Sequence, residues 1–333
     1  MSISKRIRLL VIAFAFAGNA GFAAASQQRI ADYDVPVDLV NGLREARSDA
    51  KKVGDRIWLG FARAPFGFVL VSAEREILLC DDRLPDGFVS APREPTLRCP
   101  RAVGPRSWRQ ESLLASMPVF GPPSVIVMGS PKTTLRSLAD WKMTILHEHF
   151  HQWQSALPDY FARVEALQLA NGDETGMWML NYAFPYHDAE VGAAYKDAAV
   201  SLAAAIEAND GVEAQAALTS YRKARAVFQS KVSPAQWRYF EFQLWQEGVA
   251  RWTEFTLGEA SKHSDVASAA RDLRTSTLHA LRDSELAASE RISVYAYGAG
   301  EAMLLSRTDP NWRQCYPNQL SLGPLFAQRC IRR

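Results

Sequence analysis

The hydrophobic pattern of this 333-residue chain changes its period near residue 134, and that switch restricts the fold more than any other feature. Before it lie "RIWLGFA", "FGFVLVSA", "REILLCD", "GFVSA" and "SVIVMGS". These runs are short, rich in β-branched and aromatic residues, and bounded by Gly, Pro and Asp, so they read as strands. One helical stretch, "VPVDLVNGLREARSDAKKVGD", precedes them. After residue 134 the apolar spacing becomes helical. Ser137 and Asp140 have the S-x-x-D form of a capping box, and the helix they open should run to about Leu157, before Pro158. "DAEVGAAYKDAAVSLAAAIEA" and "VEAQAALTSYRKARAVFQS" make a helical hairpin around the breaker at residues 209–211. "SPAQWRYFEFQLWQEGVARWTEFTLGEA" is a fourth helix, with Ser233 as N-cap and Pro234 at its first position. "HSDVASAARDLRTSTLHALRDSELAAS" is a fifth, and "YAYGAGEAMLLSR" reads as a turn entering a short helix. Strands followed by helices imply an α+β protein, with a β-rich lobe over residues 26–133 and a mainly helical one over residues 134–333.

Residues 1–25 stand apart. Lys5, Arg6 and Arg8 precede an apolar run over residues 9–17, and Ala23, Ala24 and Ala25 follow as small residues. This is the form of a secretory signal peptide cleaved after Ala25, and its apolar run is short for a membrane span. No other segment is long and apolar enough to insert, so the mature chain is expected to be secreted or periplasmic. Without the leader the charge balance is near zero, about 35 basic against 36 acidic side chains. Nothing in it favours nucleic acid as a partner. The 4 cysteines are an even number in an exported chain, which favours disulfides. Three connectivities are possible. The local one, Cys80 with Cys99 and Cys315 with Cys330, is expected, each pair closing a short Pro-containing loop.

The first long helix after the switch carries "TILHEHFHQWQ", with three of the chain's 6 histidines. At about 100° per residue, His147 and His151 share a face, while His149 lies about 200° away. Met143, Leu146, Phe150, Trp153 and Leu157 form a separate apolar stripe. The triple therefore resolves into a pair plus a bystander, and packing is the expected role of His149. Two imidazoles at i and i+4 can hold one divalent metal, and Glu148 projects beside them, where it can take a proton from an activated water. The plainer alternative is two surface histidines on an amphipathic helix.

A third ligand is expected from another helix, and Glu247 in "LWQEGVARWTEF" is the candidate. Among Trp, Phe, Leu and Val, a carboxylate needs a cation or hydrogen bonds. Glu254 falls on the same face and could orient a ligand histidine. Gly248 permits close approach of another helix. An ion pair of Glu247 with Arg251 is the alternative. His187, with Glu190 close by, is a rival third ligand, and its segment "MWMLNYAFPYHDAEV" is placed to line or cover a cleft. His263 and His279 read as surface residues.

H-E-x-x-H followed by W-x-E-G-x-A-x-x-x-E resembles the gluzincin branch of the zincin metallopeptidases, over about residues 120–160 and 235–305. The resemblance implies a zincin-like fold and Zn²⁺ held by His147, His151 and Glu247. It also implies hydrolysis of a peptide or protein substrate by zinc-activated water, with Glu148 as general base. "SVIVMGSPKTT" resembles the edge strand that such enzymes pair with an extended substrate. The tyrosine-glycine turn resembles their source of an oxyanion donor, which makes Tyr295 and Tyr297 candidates. The stretch of about 95 residues between His151 and Glu247 departs from compact family members. A non-catalytic zinc-containing binding protein and a zinc hydrolase of non-peptide amides remain alternatives. The sequence is silent on oligomeric state.

Overall fold

The computed structural model describes residues 35–283, 285–327 and 330. The leader expected over residues 1–25 lies outside them. Helix α1 (Val37–Ile57) comes first and buries Leu39, Val40, Leu43, Ala46 and Ala50 along one stripe. It extends into "RIWLGFA", which was expected as a strand, and a single 3₁₀ turn follows at Phe61–Arg63. A local turn overrides strand propensity there. Gly60 takes a left-handed φ of 81°, and the Ala62 amide donates to Asp55 Oδ1 at 2.7 Å. Trp58 and Phe61 enter the core from this turn.

Six strands form one sheet: β1 (Phe68–Val71), β2 (Arg75–Leu79), β3 (Val89–Glu94), β4 (Cys99–Pro105), β5 (Leu114–Met117) and β6 (Val125–Gly129). Their order is β3-β4-β2-β1-β6-β5, with β1 and β6 parallel and the other neighbours antiparallel. Four expected strands became β1, β2, β3 and β6. β4 and β5 had no clear signal, because β4 carries prolines and β5 has only four residues. The expected edge strand is misplaced. β6 is interior, with all five residues buried, and the edge beside it is the half-exposed β5.

Alternation divides the sheet's side chains. Phe68, Leu70, Ile77, Leu79, Ile126 and Met128 join the large core shared with the helices. Val69, Val71, Leu78, Val125 and Val127 face a smaller layer built with Phe88, Trp108 and Phe120. Helix α2 (Leu138–Ser155) is capped by Ser137, whose Oγ accepts from the Asp140 amide at 3.0 Å. It is anchored to the sheet near both ends. Trp141 Nε1 donates to Gly129 O at 2.8 Å, and Gln152 Nε2 donates to Gly67 O and Ser124 O at 2.8 and 3.0 Å.

The hairpin forms as α3 (Ala189–Glu207) and α4 (Val212–Ser230). The next rod is α5 (Pro234–Gln243), a π-helical turn at Leu244–Gly248, and α6 (Val249–Glu259). α7 (Ser264–Asp283) and α8 (Ser293–Thr308) follow. "YAYGAG" was expected as a turn, but lies inside α8. Its glycine serves a helix crossing instead: a Cβ on Gly298 would stand 2.7 Å from Leu244 O and 2.8 Å from Gly248 Cα. The disulfides are Cys80–Cys99 and Cys315–Cys330, the local pairing, and such bonds belong to an oxidising compartment. No described helix is long and apolar enough to cross a membrane.

Candidate metal centre

Helix α2 places His147 and His151 one turn apart, with their Nε2 atoms at 3.2 Å. The π-helical turn delivers Glu247 from the facing rod. Its Oε2 lies 3.5 Å from His147 Nε2 and 3.3 Å from His151 Nε2. A tetrahedral ion with bonds of about 2.0–2.1 Å holds its ligand atoms about 3.3–3.4 Å apart. The three observed separations straddle that value, and all three side chains are nine-tenths buried or nearly so.

Hydrogen bonds fix which ring atoms face inward. Gln154 Nε2 donates to Trp245 O and Gln246 O, each at 3.2 Å, both carbonyls of the π-helical turn. It also donates to Tyr316 Oη at 2.7 Å, and that hydroxyl donates to Trp245 O at 2.6 Å. The Gln154 amide therefore cannot be reversed, and its Oε1 must accept from His151 Nδ1 at 2.7 Å. Glu254 Oε2 accepts from His147 Nδ1 at 3.1 Å. With both Nδ1 atoms donating, two Nε2 lone pairs and a carboxylate oxygen converge on one buried point. Three acceptors at that spacing repel one another unless a cation lies among them. The chemistry of the donor set, two imidazoles and one carboxylate, thus fits a divalent metal ion. A proton is the alternative occupant. Although burial opposes it, Glu247 and Glu254 push the His147 imidazole up to about 9.

The carboxylates are held in turn. Glu247 Oε1 accepts from Arg291 Nη2 at 2.7 Å. Against the opposing effect of burial, His151, His147 and Arg291 keep its pKa well below the usual carboxylate range. Arg291 Nε also donates to Gln243 Oε1 at 3.1 Å and to Met179 O at 3.2 Å. The aromatic segment expected near a cleft therefore does reach this end of the site. The alternative pair of Glu247 with Arg251 does not form, because Arg251 Nη1 lies 2.9 Å from Glu254 Oε2. Burial opposes ionisation of Glu254 as well, but Arg251 and His147 keep its pKa low.

Glu148 is buried beside the pair, and its carboxylate makes no hydrogen bond among the described residues. Burial pushes its pKa up, against the pull of His151 and His147. Tyr295 stacks on His147 with ring centroids 5.9 Å apart. Its ring lies between Arg251 and Arg291, at 5.4 and 5.7 Å. Burial and Glu247 raise its hydroxyl pKa, so it remains a donor.

Other candidates lie elsewhere. Tyr297 is fully buried among Tyr195, Tyr221, Phe228 and Phe240, its hydroxyl 3.5 Å from that of Tyr221. Two residues along a helix turn it away from Tyr295, which excludes it from the histidine pair. His187 is 72% exposed, with its Nε2 3.0 Å from Glu290, and Glu190 pairs with Lys231. Neither is part of the cluster. His149 is buried edge-on to Phe61 and Phe66, the packing expected of it. His279 is exposed and His263 lies half-buried beside Glu45. Sequence reasoning missed Gln154, Arg291 and Tyr316. Gln154 had a signal, since a Gln stands three residues after each of His149 and His151. Arg291 and Tyr316 had none. Compared with known proteins, the chain matches no family model, no curated protein and no solved structure.

Proposed function

We propose that the mature chain is an exported zinc-dependent metallopeptidase of zincin type. One observation carries the reading: an unbonded, buried glutamate stands beside two imidazoles with tautomers fixed from behind and a carboxylate that converges with them. His147, His151 and Glu247 would hold the ion. When bound, zinc supplies Lewis acidity and lowers the pKa of water in the site. Glu148 takes the water's proton and then delivers it to the leaving nitrogen. Burial raises the Glu148 pKa, which helps the carboxyl hold the proton between the two transfers. Tyr295 donates to the developing oxyanion from its place over His147. Arg291 holds Glu247 in place. The free edge of β5, in place of the residues first expected there, offers main-chain groups to an extended peptide. Export rests on the N-terminal leader pattern and is in keeping with the two disulfides.

The test is metal content and peptide hydrolysis by the mature wild type and Glu148→Gln. The expected result is zinc in both and turnover only in the wild type. Zinc-loaded wild type that cleaves nothing in a broad peptide library would favour a non-catalytic binding protein. Turnover confined to non-peptide amides would change the substrate class while keeping the mechanism.

A further inference from the structure

Helix α2 carries a second polar device on the face turned away from the metal pair. His149 is 3% exposed, and its Nδ1 lies 2.9 Å from Gln152 Oε1. The Gln152 amide nitrogen is committed to Gly67 O and Ser124 O, so its oxygen must face the ring and accept. The His149 proton therefore sits on Nδ1. Its Nε2 is left as an acceptor to which no described residue donates.

His149 lines a cavity of about 400 Å³ together with Arg47, Lys51, Arg63 and Phe66. Among the described residues none of these three cations has a carboxylate partner. Arg47 reaches only Leu97 O at 3.3 Å and Cys80 Sγ at 3.4 Å, and it lies over the Phe66 ring. Three cations without counter-charge around one cavity attract a multivalent anion. An imidazole acceptor among them is met by a hydroxyl rather than by an ionised anion oxygen, since imidazole nitrogen and ionised oxygen are both acceptors. It calls for a ligand that also carries a donor, and the cavity has room for one of sugar size.

We propose that this cavity is a second ligand site, separate from the metal cluster, for a small phosphate ester bearing hydroxyl groups. The phosphate lies against Arg47, Lys51 and Arg63, and a hydroxyl donates to His149 Nε2. The site does not depend on the metallopeptidase reading.

Calorimetric titration of the mature protein with glucose 6-phosphate, inorganic phosphate and glucose tests this. The expected result is one saturable site for glucose 6-phosphate, about tenfold or more tighter than for phosphate alone, with no binding of glucose. Lys51 and Arg63 are exposed, so Lys51→Gln and Arg63→Gln should fold normally. Together they should weaken the sugar phosphate about tenfold or more and leave zinc content unchanged. The ¹⁵N resonance of His149 Nε2 should move on addition of the sugar phosphate, as its lone pair accepts a hydroxyl hydrogen. Absence of saturable binding overturns the proposal. So does equal affinity for inorganic phosphate, which would mean an adventitious ion only, or unchanged affinity in the double variant.

Discussion

Gln154 shows how much of a metal site can rest on a neutral side chain. Its amide nitrogen is fixed by two carbonyls of the π-helical turn, and its oxygen fixes the tautomer of His151. Gln154→Ala removes both constraints while sparing the ligands. Zinc affinity should fall about 10–100-fold, read by chelator competition, with the far-ultraviolet circular dichroism unchanged. Protons compete for the same point. In the metal-free chain the His147 imidazole is raised from 6.5 to about 9. A raised pKa adds stability that is complete below about 6.5 and is lost as pH climbs through about 9. The metal-free melting temperature should therefore fall over that window. Zinc needs the neutral ring, so its affinity should rise over the same window with release of about one proton. A metal-free protein that grows more stable from pH 6.5 to 9 would contradict this assignment. At this scale the sequence was most legible where helix geometry alone decides. The pairing of His147 with His151 and the separation of His149 follow from angle. The choice of Tyr295 over Tyr297 does not, because it depends on where α8 crosses the rod.

That crossing is the element on which the site depends. Gly248 and Gly298 meet backbone to backbone, which brings Tyr295 over His147 and Glu247 toward α2. The sequence held half of this, since Gly248 was expected to admit a neighbouring helix. The other half was hidden, because glycines in "YAYGAG" suit a turn as well as a packed helix. The π-helical turn was also invisible, as nothing in residues 244–248 departs from an α pattern. Gly248→Ala sets a methyl group against the Gly298 backbone, which cannot retreat as a side chain would. It should destabilise the fold by about 1–3 kcal/mol or more and lower zinc affinity as well, read by denaturant titration and chelator competition. Wild-type stability in Gly248→Ala would mean that the two helices are not held at this distance.

Across the whole molecule, the large core joins one face of the sheet to the helices, and a smaller apolar layer covers the other face. The α+β class was legible because the period switch is strong. The topology was not, since β4 and β5 lack a periodic signal and the edge was assigned to β6. A buried polar network binds the C-terminal segment to the helical layer. Arg225 Nε donates to Glu301 Oε1 at 2.7 Å, and Arg225 also pairs with Glu241. Glu241 Oε2 accepts from the Leu322 and Gly323 amides at 3.0 and 2.8 Å. In the same C-terminal segment, Tyr316 stacks on Trp245 and completes the Gln154 hydrogen bonds. Arg225→Met leaves two buried carboxylates without their cation and should cost about 3–5 kcal/mol in equilibrium unfolding.

The central claim is that His147, His151 and Glu247 converge to hold one metal ion. Equilibrium zinc titration of the metal-free mature protein, with Glu247→Ala and His187→Ala alongside, tests it most directly. The account predicts one zinc per wild-type chain, a large loss of affinity in Glu247→Ala, and none in His187→Ala. Full zinc retention in Glu247→Ala, or its loss in His187→Ala, would contradict it.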